Sequence, residues 1–245
     1  MIRLRRPSAF AVALTVSGAA AFIALGVWQL HRATWKEALL ARFAQADGAP
    51  LVTLAQAERV GDSDRYPHVA VSGRFDTQRI YLLDDQMRAG QLGVMVFAPF
   101  HPDHDARALL VNLGFLPRRG PDVALPEPPP LPSHEVSLAG IYAPPPRPGL
   151  KLGGNPLLRE KAWPKLVTWI DLHDIAADLH QALHPRVLLL DPDPHTAYVR
   201  LWKPDTFPPS RHRAYALQWF GFAVVAVVMF FVLHRVKDGD AGRPE

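Results

Sequence analysis

His212 is the residue best placed to do chemistry in this sequence. It stands where a basic turn, Arg211 to Arg213, gives way to an uncharged run from Ala214 to Leu233. Side chains three and four apart share a helix face, so His212, Tyr215, Ala216, Trp219 and Ala223 form one stripe. An imidazole at the mouth of a membrane span, backed by aromatic and small residues, is a candidate functional site; it serves equally as an interfacial anchor. Ligand chemistry elsewhere is thin. The absence of Cys removes disulfides, thiol redox chemistry, iron–sulfur ligation and cysteine zinc sites together. Of the 4 Met, only Met87 and Met95 lie in the middle of the chain, a poor basis for a soft Cu(I) site. Histidine and carboxylate remain as the means of holding a metal.

The other polar groupings read as structure. His101-Pro102-Asp103-His104-Asp105 brings ligand-type atoms close together, but reads as a solvated turn between strands. His173, His180 and His184 fall on the polar, solvated face of one helix. Asp84-Asp85 is a carboxylate pair with no matching base and reads as a strand end. Asn112 and Gly114 shape a turn. His31 lies at the same membrane face as His212, which makes it a candidate second ligand. There is no Gly-x-Ser-x-Gly elbow and no nucleotide-binding glycine motif, so no catalytic constellation assembles and an enzyme is not expected.

Two apolar spans must position His212. The run from Ala214 to Leu233 has about 20 residues, which at ~1.5 Å each cross a ~30 Å hydrocarbon core. From Ser8 to Leu30 about 23 residues carry no charge, again long enough to span. Ala19-Ala20-Ala21 fits a signal-peptide cleavage pattern, but the apolar run continues past it to Trp28, which favours a retained anchor. Trp28, Gln29, His31, Arg32 and Trp35 then form an interfacial collar. The expected segments are a tail at 1–9, a span at 10–31, a domain at 32–213, a span at 214–233 and a tail at 234–245. Arg3, Arg5 and Arg6 at one end, and Arg235, Lys237 and Arg243 at the other, place both tails in the cytoplasm by the positive-inside rule. The few residues ahead of the first span leave no room for a transit peptide. The expected address is therefore a bacterial inner membrane with the domain on the periplasmic side. The net charge of +4 is scattered rather than clustered, so membrane lipid is an expected partner and nucleic acid is not.

The fold class expected is a membrane protein with two transmembrane α-helices flanking a mainly antiparallel β (α+β) extracytoplasmic domain. Strands are predicted at 68–75, 79–84, 93–100, 108–116, 135–142, 166–170, 186–190 and 198–202, joined by links too short for repeated helical crossovers. An antiparallel sheet or small open barrel follows. One helix interrupts it, Asp171 to His184, with Leu172, Ile175, Ala176, Leu179 and Leu183 as its core stripe and Pro185 as its stop. Many of the 25 Pro lie in 121–132 and 144–148, stiff extended connectors.

The chain resembles the surfeit locus protein 1 family, membrane assembly factors for haem–copper cytochrome c oxidase. Gly26, Trp28, Gln29, Leu30 and Arg32 match the pattern ending that family's first span. Gly73 with Phe75, Gly93, and Val111, Asn112 and Gly114 stand in the domain's motif positions; His212, Tyr215, Ala216 and Trp219 fit the opening of the second span. Ser210, Arg213 and Phe115 depart from the family pattern. The resemblance implies a chaperone that assists insertion of haem a into the oxidase's catalytic subunit. That subunit is the implied partner, with haem a synthase a further candidate. It also implies that His212 is an axial haem ligand, with Trp28, Arg32, Tyr215 and Trp219 around it. Haem a carries a farnesyl tail, and at ~0.8 kcal/mol per buried CH₂ on the order of 10 kcal/mol opposes its release into water. A carrier should hold it at membrane depth, where imidazole meets iron and Arg32 or Arg211 meets propionates. The alternative function is a scaffold that binds no haem and steadies an oxidase intermediate.

Overall fold

A computed structural model describes residues 6–46, 48–59, 65–118, 124–146, 154–202 and 208–235. Arg3, Arg5, Lys237, Arg243 and the prolines at 121 and 148 lie outside these residues. In chain order the elements are α1 (Ala9–Ala46), β1 (Val52–Thr53), α2 (Leu54–Arg59), β2 (His68–Phe75), β3 (Tyr81–Arg88), β4 (Gln91–Pro102), β5 (Ala108–Pro117), β6 (Val136–Ala143), a 3₁₀ turn (Pro156–Leu158), β7 (Lys165–Val167), α3 (Leu172–Leu179), β8 (Leu183–Leu190) and α4 (Pro209–Leu233). They form two units, Met1–Ala41 with Pro204–Glu245, and Arg42–Lys203.

The first unit is helical. Pro209 begins α4 at a position where its missing N–H is no loss. Both helices are long and apolar enough to cross a membrane. They expose that apolar surface instead of burying it: Phe10 is 76% exposed, Leu217 75% and Leu233 70%. A core helix of a soluble protein would cover such residues, so these are membrane helices and the chain is a membrane protein. At 38 residues α1 is roughly 57 Å long by the ~1.5 Å rise, more than a bilayer core requires. The helix runs on beyond the apolar span through Leu39–Gln45 and ends at Ala46.

The second unit is a barrel. β6, β2, β4 and β5 lie side by side in Greek-key order, each antiparallel to its neighbour, and β8 joins β5 to β6. The sheet is therefore closed rather than open. The closing seam is short, with Gly73, Arg74 and Phe75 against Pro102, His101 and Phe100. Gly73 permits it: a Cβ there would stand 2.1 Å from the His101 carbonyl oxygen. Inside lie Val69, Val94, Val96, Phe100, Leu109 and Val111, all fully buried, with Leu54 and Ala57 of α2 packed against them. The β5–β8, β3–β7 and β1–β2 pairs are parallel, exceptions in a mainly antiparallel sheet.

Strand β2 keeps its expected bounds, and most others shift by a few residues. β3 runs on through Asp84-Asp85 by means of a bulge, with Asp85 at φ 54°, and ends at a two-residue turn, Ala89-Gly90, where both φ are positive. Asn112 and Gly114 form a bulge within β5 rather than a turn: the Asn112 side chain accepts the Gly114 N–H at 3.1 Å. The expected strand at 198–202 reduces to one bridge, Val199 to Phe115. Arg200 turns its guanidinium onto the carbonyls of Leu113 and Asp191 instead of extending the ladder.

The expected helix Asp171–His184 is shorter than its periodicity suggests. Asp171 caps α3, accepting the His173 N–H, and His180 in the left-handed conformation ends it at Leu179. Leu183 and His184 already belong to β8, and Pro185 sits where β8 bulges against β5. Ile175 and Leu179 are buried on the outer face of the barrel with Tyr81, Phe97 and Val187. Leu179→Ala should therefore destabilise the protein by ~2–5 kcal/mol, read from chemical denaturation of the detergent-purified chain. A change below about 0.5 kcal/mol, the size of an ordinary surface substitution, would place that leucine outside the core.

Candidate functional site

The helical unit is held by a seam of small and aromatic residues. Phe22, Gly26, Gln29 and Ala33 of α1 meet His212, Ala216, Trp219, Phe220 and Phe222 of α4 in antiparallel register. Ala33 and Ala216, both small residues, are each 1% exposed. Gly26 makes room for the Phe220 ring, which would stand 2.5 Å from a Cβ. Phe22 stacks on Trp219 with centroids 5.8 Å apart. Arg213 reaches Glu37 at 2.6 Å, a surface ion pair.

His212 is fixed within this seam. Its Nδ1 lies 2.7 Å from the Gln29 side-chain oxygen. An amide oxygen only accepts, so Nδ1 carries a proton, and in the neutral ring Nε2 then keeps a lone pair. Metal-binding histidines are oriented in this way, one nitrogen held by an acceptor and the other presented to the metal. An imidazole held in this way is suited to ligating a metal.

The expected site residues divide into two groups. His212 and Trp219 lie on the seam. Trp28 is 55% exposed and Tyr215 49%, both on outward faces, and Arg32 is exposed with its guanidinium 4.7 Å over the Trp35 ring. His31 stands two residues beyond Gln29, about 200° around the helix at ~3.6 residues per turn, so it faces away from His212. The residue that sequence reading missed in this role is Gln29. Its signal was the 4-3-4 spacing of Phe22, Gly26, Gln29 and Ala33, which marks a helix–helix seam.

A second polar cluster lies in the barrel unit. His184 is not on a solvated helix face: it is 0% exposed, because strand alternation in β8 turns it inward. Its Nδ1 lies 2.7 Å from Glu58 of α2, and its Nε2 lies 3.4 Å from Asp105. Arg107 forks onto Glu58 at 3.2 and 3.0 Å and reaches Asp105 at 3.1 Å, while Tyr142 donates to Glu58 at 3.3 Å. Burial pushes the Glu58 carboxyl up, but the hydrogen bonds from Arg107 and His184 outweigh it and leave the group below its ordinary value. Arg107 likewise holds Asp105 low. Asp105 lies in the expected turn after His101, yet serves as one jaw of this clamp. Glu58 sits on a helix that sequence reading missed, although Thr53-x-x-Gln56 is a capping box and both its hydrogen bonds form. The carboxylate is saturated by donors and the imidazole is sealed from solvent, so the cluster ties α2, β6, β8 and the β4–β5 turn together. Among the described residues, no group of three or more His, Cys, Asp and Glu side chains is placed to hold a metal ion.

A sequence profile described as the SURF1 family matches residues 16–224, a stretch that contains both Gln29 and His212. The chain is similar to Surfeit locus protein 1 of Xenopus tropicalis, 31% identical over 139 residues, covering 49% of this chain and 44% of the frog protein. It is similar also to the SURF1-like protein of Rickettsia felis, 26% identical over 224 residues, covering 87% of this chain and 92% of that protein. The SURF1-like protein of Rickettsia conorii is 26% identical over 224 residues and is covered to 86%.

Proposed function

The chain belongs to the SURF1 family, and from that premise we propose that it is a membrane assembly factor for haem–copper cytochrome c oxidase that carries haem a to the catalytic subunit. The observation that supports this most directly is the 2.7 Å contact between His212 Nδ1 and Gln29, which leaves Nε2 free to bind iron. Haem a is cargo here, and the protein is a chaperone rather than an enzyme. His212 would supply the iron bond, Trp28 and Tyr215 are exposed and able to cover a macrocycle, and Trp219 backs the seam. Arg32 is exposed on α1 and suited to a propionate. The seam's own packing, through Phe22, Trp219 and Gly26, also suits a scaffold that binds no haem. The two readings separate in one measurement, the visible absorption spectrum of the protein purified from cells that make haem a. A Soret band at stoichiometric intensity supports the carrier; its absence leaves the scaffold.

The proposed setting is a bacterial inner membrane, with both tails cytoplasmic and the barrel periplasmic. Reporter fusions at Pro130 and Glu245 are expected to read periplasm and cytoplasm respectively. A cytoplasmic signal at Pro130 would invert the topology.

A further inference from the structure

Among the described residues, one end of the barrel wall is incomplete. The β6–β8 ladder runs from Gly140 to Ala143 and closes with the Asp191 N–H on the Ala139 carbonyl at 3.0 Å, whereas the β2–β6 ladder continues to Val136. Alternate residues of an antiparallel strand direct their main-chain polar groups to opposite neighbours. Ala139 directs its carbonyl to β8. Ser137, two residues earlier, therefore directs its N–H and C=O to the side beyond the reach of that ladder, and it is exposed. Beside this edge lies a cleft of about 490 Å³, within the ~300–1,000 Å³ range of ligand sites, which often occupy barrel mouths. Phe75, Leu113 and Leu190 form its apolar side, and Leu131 with its flanking prolines walls it.

Tyr198 lines the same cleft. It is 8% exposed, and its hydroxyl is buried with no hydrogen-bond partner among the described residues. A buried hydroxyl left unpaired keeps a donor available to a group that enters the cleft. Burial pushes this phenol up to about 12, so at neutral pH it is a donor. The ionisable side chains lining the cleft are Asp191, Asp193 and Arg200, two carboxylates against one guanidinium. Arg200 is already committed to the carbonyls of Leu113 and Asp191 at 2.9 and 3.0 Å. Asp191 is paired as well, with His68 at 2.8 Å. That leaves Asp193, 44% exposed and 4.0 Å from Arg200, as the least compensated charge. A carboxylate there disfavours an anionic ligand and suits a neutral or basic one.

We propose that this cleft is a strand-addition site for a short extended segment of a partner protein, neutral or basic, which pairs with the main chain of Ser137 and accepts a hydrogen bond from Tyr198 through a backbone carbonyl. An apolar side chain of the segment fills the space between Phe75 and Leu190. The proposal is independent of haem binding.

The test uses the full-length protein in nanodiscs and a library of end-blocked hexapeptides in which Val, Leu or Phe alternates with Thr or Lys. Peptides from this library should bind by fluorescence anisotropy and slow hydrogen exchange at the Ser137 amide. Ser137→Pro removes the outward N–H while leaving the bonds of Val136 and Leu138 to β2, and it should abolish binding. Ser137→Ala should bind normally. Tyr198→Phe should weaken binding about 2–10-fold, the loss of one neutral hydrogen bond, and peptides carrying Glu in place of Lys should bind less well. Absence of binding across the library, undiminished binding by Ser137→Pro, or displacement of the peptides by oleate would each overturn the proposal. If circular dichroism shows Ser137→Pro misfolded, the Tyr198→Phe effect and the Ser137 exchange rate decide it.

Discussion

Replacing His212 with alanine is expected to strip haem from the purified protein while leaving its membrane insertion intact. Alanine is easier to place near a bilayer than imidazole, so insertion does not suffer. The substitution removes the contact between His212 and Gln29 but leaves the rest of the seam, Phe22, Gly26, Ala33, Ala216 and Trp219, unchanged. What is lost is the lone pair on Nε2. Gln29→Ala tests the same site from behind. It removes the acceptor that fixes the tautomer, and changes of this kind weaken metal binding ~10–100-fold, so it should reduce haem affinity by that factor and His212→Ala by more. Arg32→Ala should weaken binding least, because a propionate contact near the interface is screened within a Debye length of ~8–10 Å. All three are read from the ratio of Soret to protein absorbance. Full haem with an unaltered spectrum in His212→Ala would sink the ligand assignment and make the scaffold the better reading.

Removing the Glu58 carboxylate should destabilise the barrel unit on the scale of a core substitution. Glu58→Ala leaves a fully buried imidazole and one arm of Arg107 without their partner. Breaking a fully buried ion pair costs ~3–5 kcal/mol; Glu58 keeps 23% of its side chain in water, so roughly 2–4 kcal/mol is expected. The pH dependence carries a second signature. Glu58 and Asp105 both titrate below their ordinary carboxylate values in the folded protein. Their contribution is fully present above the unfolded value of about 4 and is lost as pH falls through the depressed folded values. Acid should thus unfold the wild-type unit steeply below about pH 4, and Glu58→Ala should flatten that limb because part of the loss has already occurred. Near-UV circular dichroism of the full-length protein between pH 7 and pH 2 measures both effects. Equal acid sensitivity in the two proteins would mean that the clamp does not couple to folding.

Much of this architecture was legible in the chain because it depends on local patterns. Two uncharged runs of bilayer length mark α1 and α4 without reference to any partner. Alternation marks β2 to its end residues, since period-two burial needs only one covered face. The resemblance singled out His212, and Trp219 follows from helical spacing. Tertiary contact decided the rest. Apolar periodicity carried the expected α3 through to His184, but the left-handed His180 and the pairing of Leu183 with Ala108 converted its last turn into strand. That change of period moved His184 from a presumed solvated face into the barrel. The barrel's closure depended on how near two backbones could approach at Gly73, a distance that no alternation pattern encodes. Gln29 looked like one more polar residue of an interfacial collar. Only the antiparallel packing of α1 on α4, residue 29 beside residue 212, gave it a role, because hydrogen-bond partners 183 positions apart in sequence meet through the fold and not through spacing.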